Sequence, residues 1–101
     1  MFGTIARLKV KPGQEAALRE VQDQWWRERK PKVNGAITGY VCKPVDGPAD
    51  EQFLFVVFDS KENYFANAND PEQDAWYQNF RACLQADPEW TDVEIAEALK
   101  G

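Results

Sequence analysis

The chain has 101 residues, enough for one domain around a single core and too few for two. Its 12 Lys and Arg against 17 Asp and Glu leave a net charge of −5, which argues against nucleic acid or an anionic membrane as the main partner. It contains no histidine, so serine–histidine and cysteine–histidine nucleophilic machinery, His-rich zinc sites and a His-ligated haem are excluded together.

The opening Met1-Phe2-Gly3-Thr4-Ile5 passes directly into strand-like sequence without a basic or long apolar leader, so a soluble cytoplasmic protein is expected. A first strand over Phe2 to Val10 puts Thr4, Ala6, Leu8 and Val10 on one side and Ile5, Arg7 and Lys9 on the other. Lys11-Pro12-Gly13 ends it. A helix is expected from Gln14 to Arg29, with Leu18, Val21 and Trp25 on its buried stripe and with Glu15–Arg19 and Asp23–Arg27 as i, i+4 ion pairs. Lys30-Pro31 closes it, and Asn34-Gly35 signals a turn into a second strand, Ala36 to Lys43. There Ile37, Gly39 and Val41 alternate with Ala36, Thr38, Tyr40 and Cys42, and Pro44 suits a sheet edge.

The third strand is the unusual one. Phe53-Leu54-Phe55-Val56-Val57-Phe58 has no polar face, so both of its sides must be covered. After it, Ser60 is placed to cap a short helix that runs to about Ala68. Asp70-Pro71-Glu72-Gln73 then starts another, with Asp70 as N-cap, Pro71 at the first position and Gln73 reaching back as in a capping box. Trp76, Phe80, Cys83 and Leu84 share one face of this helix, Asp87-Pro88 stops it, and a last edge strand is expected from Trp90 to about Leu99. Cys42 and Cys83 read as buried free thiols.

The order strand, helix, strand, strand, helix, strand predicts a single α+β domain over residues 1–101. Its fold is a ferredoxin-like βαββαβ unit, a four-stranded antiparallel sheet with the first and third strands central and the helices on one face. The other face of Phe53–Phe58 would then be wet in a monomer. The simplest closure is a homodimer with the two sheet faces together.

Several segments resemble the antibiotic biosynthesis monooxygenase-like domains of the dimeric α/β-barrel superfamily. They are the first strand into Lys11-Pro12-Gly13-Gln14-Glu15, the third into Asp59-Ser60, and the two-piece helix through Asn67-Ala68-Asn69-Asp70-Pro71; together they cover nearly the whole chain. The resemblance implies a pocket between sheet and helices in each protomer. It also implies a choice among cofactor-independent oxygenation of quinol-like and phenol-like aromatics, haem degradation and roles without known chemistry. Many members carry a His four residues before the Pro of the second helical region, where this chain has Asn67. In the haem-degrading branch the axial His falls where this chain has Tyr77. A haem is therefore disfavoured, and no cofactor is expected.

The expected catalytic groups are Tyr77, Asn67 and Arg7, with Trp25, Tyr40, Tyr64, Trp76 and Phe80 as walls for a small aromatic molecule. Each has a plainer structural role beside it. Tyr77 could be a helix-margin residue, Asn67 could end its helix, Arg7 could pair with an acid, and Trp76 and Phe80 could be core. Two other functions compete. One is a dimer of the same fold that binds a ligand or assembles without chemistry. The other is an RNA-recognition domain, suggested by the spacing of Phe53, Phe55 and Phe58 but opposed by Glu51 and Gln52 where that motif has a basic residue and glycine.

Overall fold

A computed structural model describes residues 1–99. Its elements are β1 (Phe2–Lys9), α1 (Glu15–Gln24), β2 (Ala36–Cys42), β3 (Glu51–Phe58), α2 (Lys61–Ala68), α3 (Pro71–Ala82) and β4 (Glu89–Glu94). The strands form one antiparallel sheet in the order β2-β3-β1-β4, with the alternating strand β1 and the apolar strand β3 at its centre. This is the expected ferredoxin-like α+β arrangement. In register, Thr4 faces Val56 and Asp92, Ala6 faces Leu54 and Trp90, and Leu8 faces Gln52. These residues, with Gly39 and Val41 of β2, make up the helix-facing side.

Local chemistry sets the helix starts. The Ser60 hydroxyl accepts from the Asn63 backbone N–H at 3.2 Å, and the Asp70 carboxylate accepts from the Glu72 N–H at 2.9 Å, so each satisfies a donor that the first turn leaves free. Gln73 does not close a capping box. Its Oε1 instead accepts a 2.7 Å hydrogen bond from the Trp25 indole, which ties α3 to the end of α1.

α1 departs most from the expected course. The α-helix stops at Gln24, and the chain continues as a π-helical turn over Trp25–Arg29 and a 3₁₀ turn over Lys30–Lys32. The wider turn re-aims the residues that follow it, so Arg27 pairs with Glu20 at 3.2 Å and not with Asp23, whose own partner is Arg19 at 4.0 Å. β4 ends at Glu94, five residues short of the expected Leu99, and the Ile95 N–H closes on the Met1 carbonyl at 2.9 Å, at the end of the pairing with β1.

Ala6, Leu8, Val10, Leu18, Leu54, Phe80, Cys83 and Leu84 form the core between sheet and helices. The end of α3 is fastened to β1 there: the Lys11 N–H donates to the Cys83 carbonyl at 2.9 Å and the Gln85 N–H to Lys9 at 2.8 Å. Cys83 is buried as expected, whereas Cys42 is exposed, because none of the described residues covers the outer face at that end of edge strand β2. That outer face carries Ile5, Tyr40, Phe53 and Phe55, with Ile5 and Tyr40 exposed.

Candidate functional site

Beside this core, sheet and helices enclose a cleft of about 990 Å³. Thr4, Gln52, Leu54, Val56 and Phe58 form its floor with Gly39 and Val41, while Gln22, Trp25 and Trp26 overhang it from α1 and the π turn. Tyr64 and Asn67 of α2, Gln73, Trp76 and Tyr77 of α3, and Trp90 of β4 complete the walls. All four tryptophans of the chain therefore face one space. The charged residues that border it, Glu15, Arg19, Asp23, Lys43, Asp74 and Asp92, are all exposed and mark its rim. The interior is aromatic and amide-lined, and among the described residues none that lines it is both charged and buried.

Each wall is held by a specific contact. Gly39 lies directly beneath Trp26, where a side-chain carbon would come within 2.7 Å of the indole, so only glycine lets the ring rest on the sheet. Trp25 meets Trp26 edge to face at 4.9 Å. Trp76 stacks on Phe80 at 5.2 Å and donates its indole N–H to the Val21 carbonyl at 2.9 Å. Tyr64 packs among Phe2, Phe58 and Phe65 and donates its hydroxyl to Asp92 Oδ1 at 3.3 Å.

Arg29, at the end of the π turn and only 7% exposed, fixes the Asn67 side. Its Nη2 donates to Asn67 Oδ1 at 2.8 Å and its Nη1 to Glu72 at 2.9 Å, with Asp70 at 3.6 Å. Because the Asn67 carbonyl is occupied by a guanidinium, its amide N–H₂ is the half left for a ligand.

Burial raises the Tyr64 phenol, and the neighbouring Asp92 carboxylate adds to this, while a hydrogen bond from Thr4 works against it. Tyr77 is raised by burial first and by Asp87 second. Both are thus neutral hydrogen-bond donors near neutral pH and not phenolate bases. The Cys83 thiol is also pushed up by burial, in keeping with an unreactive core residue. Among the described residues no group of three His, Cys, Asp or Glu is placed to hold a metal ion, and no helix is long and apolar enough to cross a membrane.

Of the residues expected from sequence, Asn67, Tyr77, Trp25, Tyr64 and Trp76 come together in the cleft. Phe80 does not line it and lies in the core, with no exposed surface. Arg7 and Tyr40 are on the opposite face of the sheet. Arg7 binds Glu51 through Nε at 3.0 Å and Nη2 at 3.3 Å, with Glu89 at 3.7 Å, which is the ion-pair alternative; Tyr40 is 58% exposed there. Phe58 turns inward and is buried, so the three phenylalanines do not form one exposed stacking platform. Trp26, Gln22, Gln52, Thr4 and Asp92 line the cleft without having been singled out. A signal existed for the glutamines, since each is a polar residue in an otherwise apolar stripe.

No protein-family model and no curated protein matches the sequence. Solved structures do match. A "putative antibiotic biosynthesis monooxygenase" from Caulobacter crescentus superposes with a TM-score of 0.81 at 14% identity, over 95% of this chain and 90% of its own. A protein of the same description from Bordetella bronchiseptica gives 0.78 at 18% identity, over 97% of each chain. The chain shares their fold. A protein of unknown function from Nitrosomonas europaea aligns at 23% identity with a TM-score of 0.74, over 99% of this chain and 93% of its own.

Proposed function

We propose that this chain is a cofactor-independent monooxygenase acting on a small, uncharged, electron-rich aromatic, of quinol or phenol type, bound in the cleft. The observation that supports it is the convergence of four tryptophans on one space whose charges stay at the rim. The substrate supplies the electrons. In its keto tautomer a ring CH₂ gives one proton to Asp92, the carboxylate at the rim that already holds the Tyr64 hydroxyl, and becomes a carbanion stabilised as an enolate. The carbanion passes an electron to dioxygen, and the two radicals combine into a C–O bond. The resulting peroxide takes a proton, then loses the second C–H proton and hydroxide to leave C=O. The sum is CH₂ + O₂ → C=O + H₂O, with all four electrons drawn from the carbon. Asn67 and Tyr77 donate hydrogen bonds to substrate oxygens, and Trp25, Tyr64 and Trp76 hold the ring and exclude water.

The protein works as a cytoplasmic homodimer in this reading, consistent with its free thiols. A second copy covers Ile5, Tyr40, Phe53 and Phe55 on the outer sheet face, in an interface on the order of 1,600 Å² in total. Sedimentation at low micromolar concentration returns a two-chain mass if this holds and a single-chain mass if it does not.

The test of the chemistry is an oxygen electrode with anthrone and naphthohydroquinones as substrates. One O₂ is consumed per carbonyl formed, and the rate falls in Asn67→Ala and Tyr77→Phe. Oxygen uptake no faster than without protein, across the panel, removes the oxygenase reading. Binding without uptake supports the second reading, a ligand-binding protein without chemistry, which is favoured by the charged groups that line the cleft all lying exposed at its rim.

A further inference from the structure

Gln22 and Gln52 occupy positions where their elements call for apolar side chains. Gln22 lies in the α1 stripe between Leu18 and Trp25, and Gln52 alternates with Leu54 and Val56 along β3. Each is only 7% exposed, and they line the same cleft from its two sides, helix and sheet. Among the described residues, Gln22 Nε2 is enclosed and meets no acceptor. A buried amide donor without a partner is destabilising, and a methionine or leucine there would avoid that cost. The unmet donor points to an acceptor that arrives with a ligand. An uncharged acceptor fits, because two neutral carboxamides offer N–H groups and no countercharge, the cations that line the cleft, Arg19 and Lys43, are exposed at its rim, and the buried Arg29 guanidinium beside it is taken up by Asn67, Glu72 and Asp70.

We propose that Gln22 and Gln52 form a carbonyl-recognition subsite that selects, among aromatic ligands, those carrying a ketone-type or quinone-type oxygen. This deepens the reading of the cleft as an aromatic site and rests on it. In the oxygenase, the same N–H groups would hold the enolate oxygen as charge builds on it.

Equilibrium dialysis of the whole chain with 1-tetralone and with tetralin, which differ by one carbonyl, tests the subsite. Wild type is expected to bind the ketone about two- to tenfold more tightly, the range of one neutral hydrogen bond. In Gln22→Met, which keeps the length and loses the donor, the ratio falls toward one, tetralin binding is retained, and the unliganded protein melts no lower than wild type. Gln52→Leu lowers the ratio as well, and Gln22→Leu serves should the methionine variant not fold. Equal affinities in wild type, or a ratio that survives at both positions, overturns the subsite and leaves the aromatic cleft standing. Failure of both compounds to bind overturns the cleft reading, and the subsite with it.

Discussion

Replacing Arg29, 7% exposed at the end of the π turn, by Met keeps an unbranched aliphatic stem and removes the guanidinium. Three contacts go with it: Glu72 at 2.9 Å, Asn67 at 2.8 Å and Asp70 at 3.6 Å. A hydrogen bond to a buried charged group contributes about 1.5–3 kcal/mol, but the Glu72 and Asp70 side chains are 65% and 41% exposed and rehydrate when released. Arg29 Nε also lacks a partner, so Met removes one unfavourable term. Counting the two carboxylate contacts at roughly 1 kcal/mol together and the Asn67 bond at roughly 1 kcal/mol gives a loss of ~2 kcal/mol. For a domain of this size that lowers Tm by ~10 °C. Differential scanning calorimetry at fixed protein concentration measures it. Arg27→Met, whose pair with Glu20 is exposed on both sides, is the control and stays within ~0.5 kcal/mol of wild type. Arg29→Lys recovers little, because one ammonium does not reproduce the fork that spans Glu72 and Asn67. If Arg29→Met melts as wild type does, the guanidinium is not what fastens the π turn to the α2–α3 junction, and the account of Asn67 orientation fails with it.

Gly39→Val drives a side chain into the Trp26 indole, where even the first carbon would lie at 2.7 Å, and costs about 1–3 kcal/mol; unchanged stability and unchanged tryptophan emission would show that the ring does not lie on that glycine. Gln73→Leu leaves the Trp25 indole N–H without its 2.7 Å acceptor and costs about 1–3 kcal/mol in urea melts, whereas Gln78→Leu, on the exposed side of α3, costs little. The folded pKa values of Tyr64 and Tyr77 are raised, so their contribution to stability is complete below the unfolded value near 10 and is lost as pH rises through the folded value. Urea midpoints should therefore fall through the alkaline range, and Tyr64→Phe with Tyr77→Phe should flatten that fall; an equally steep profile in the double variant assigns it elsewhere.

What the sequence made legible was what depends on neighbours along the chain. The Ser60 and Asp70 caps, the alternation of β1 and the two-sided apolarity of β3 are local patterns, and each is realised. The π turn was not legible, because the residues over Trp25–Arg29 carry no marker that separates a five-residue turn from an ordinary helical one. It matters for the site, since it carries Trp25 and Trp26 over the cleft and ends on Arg29, whose guanidinium reaches the Asn67 side chain. Arg7 failed for a different reason. Its partner Glu51 lies 44 residues away, and only strand pairing brings them together. Gln73 had a local role available and took a tertiary one, because an indole N–H buried beside it needed an acceptor more than a solvated helix end did.

The most direct test of the cleft is nuclear magnetic resonance of the four tryptophan indole N–H groups during titration with 1-naphthol. Shifts at Trp25, Trp26, Trp76 and Trp90 together, with the backbone of Arg7 and Tyr40 on the opposite sheet face unmoved, are the expected result. Perturbation of the outer face alone, or of no indole at saturating naphthol, would contradict the assignment of that cleft as the site.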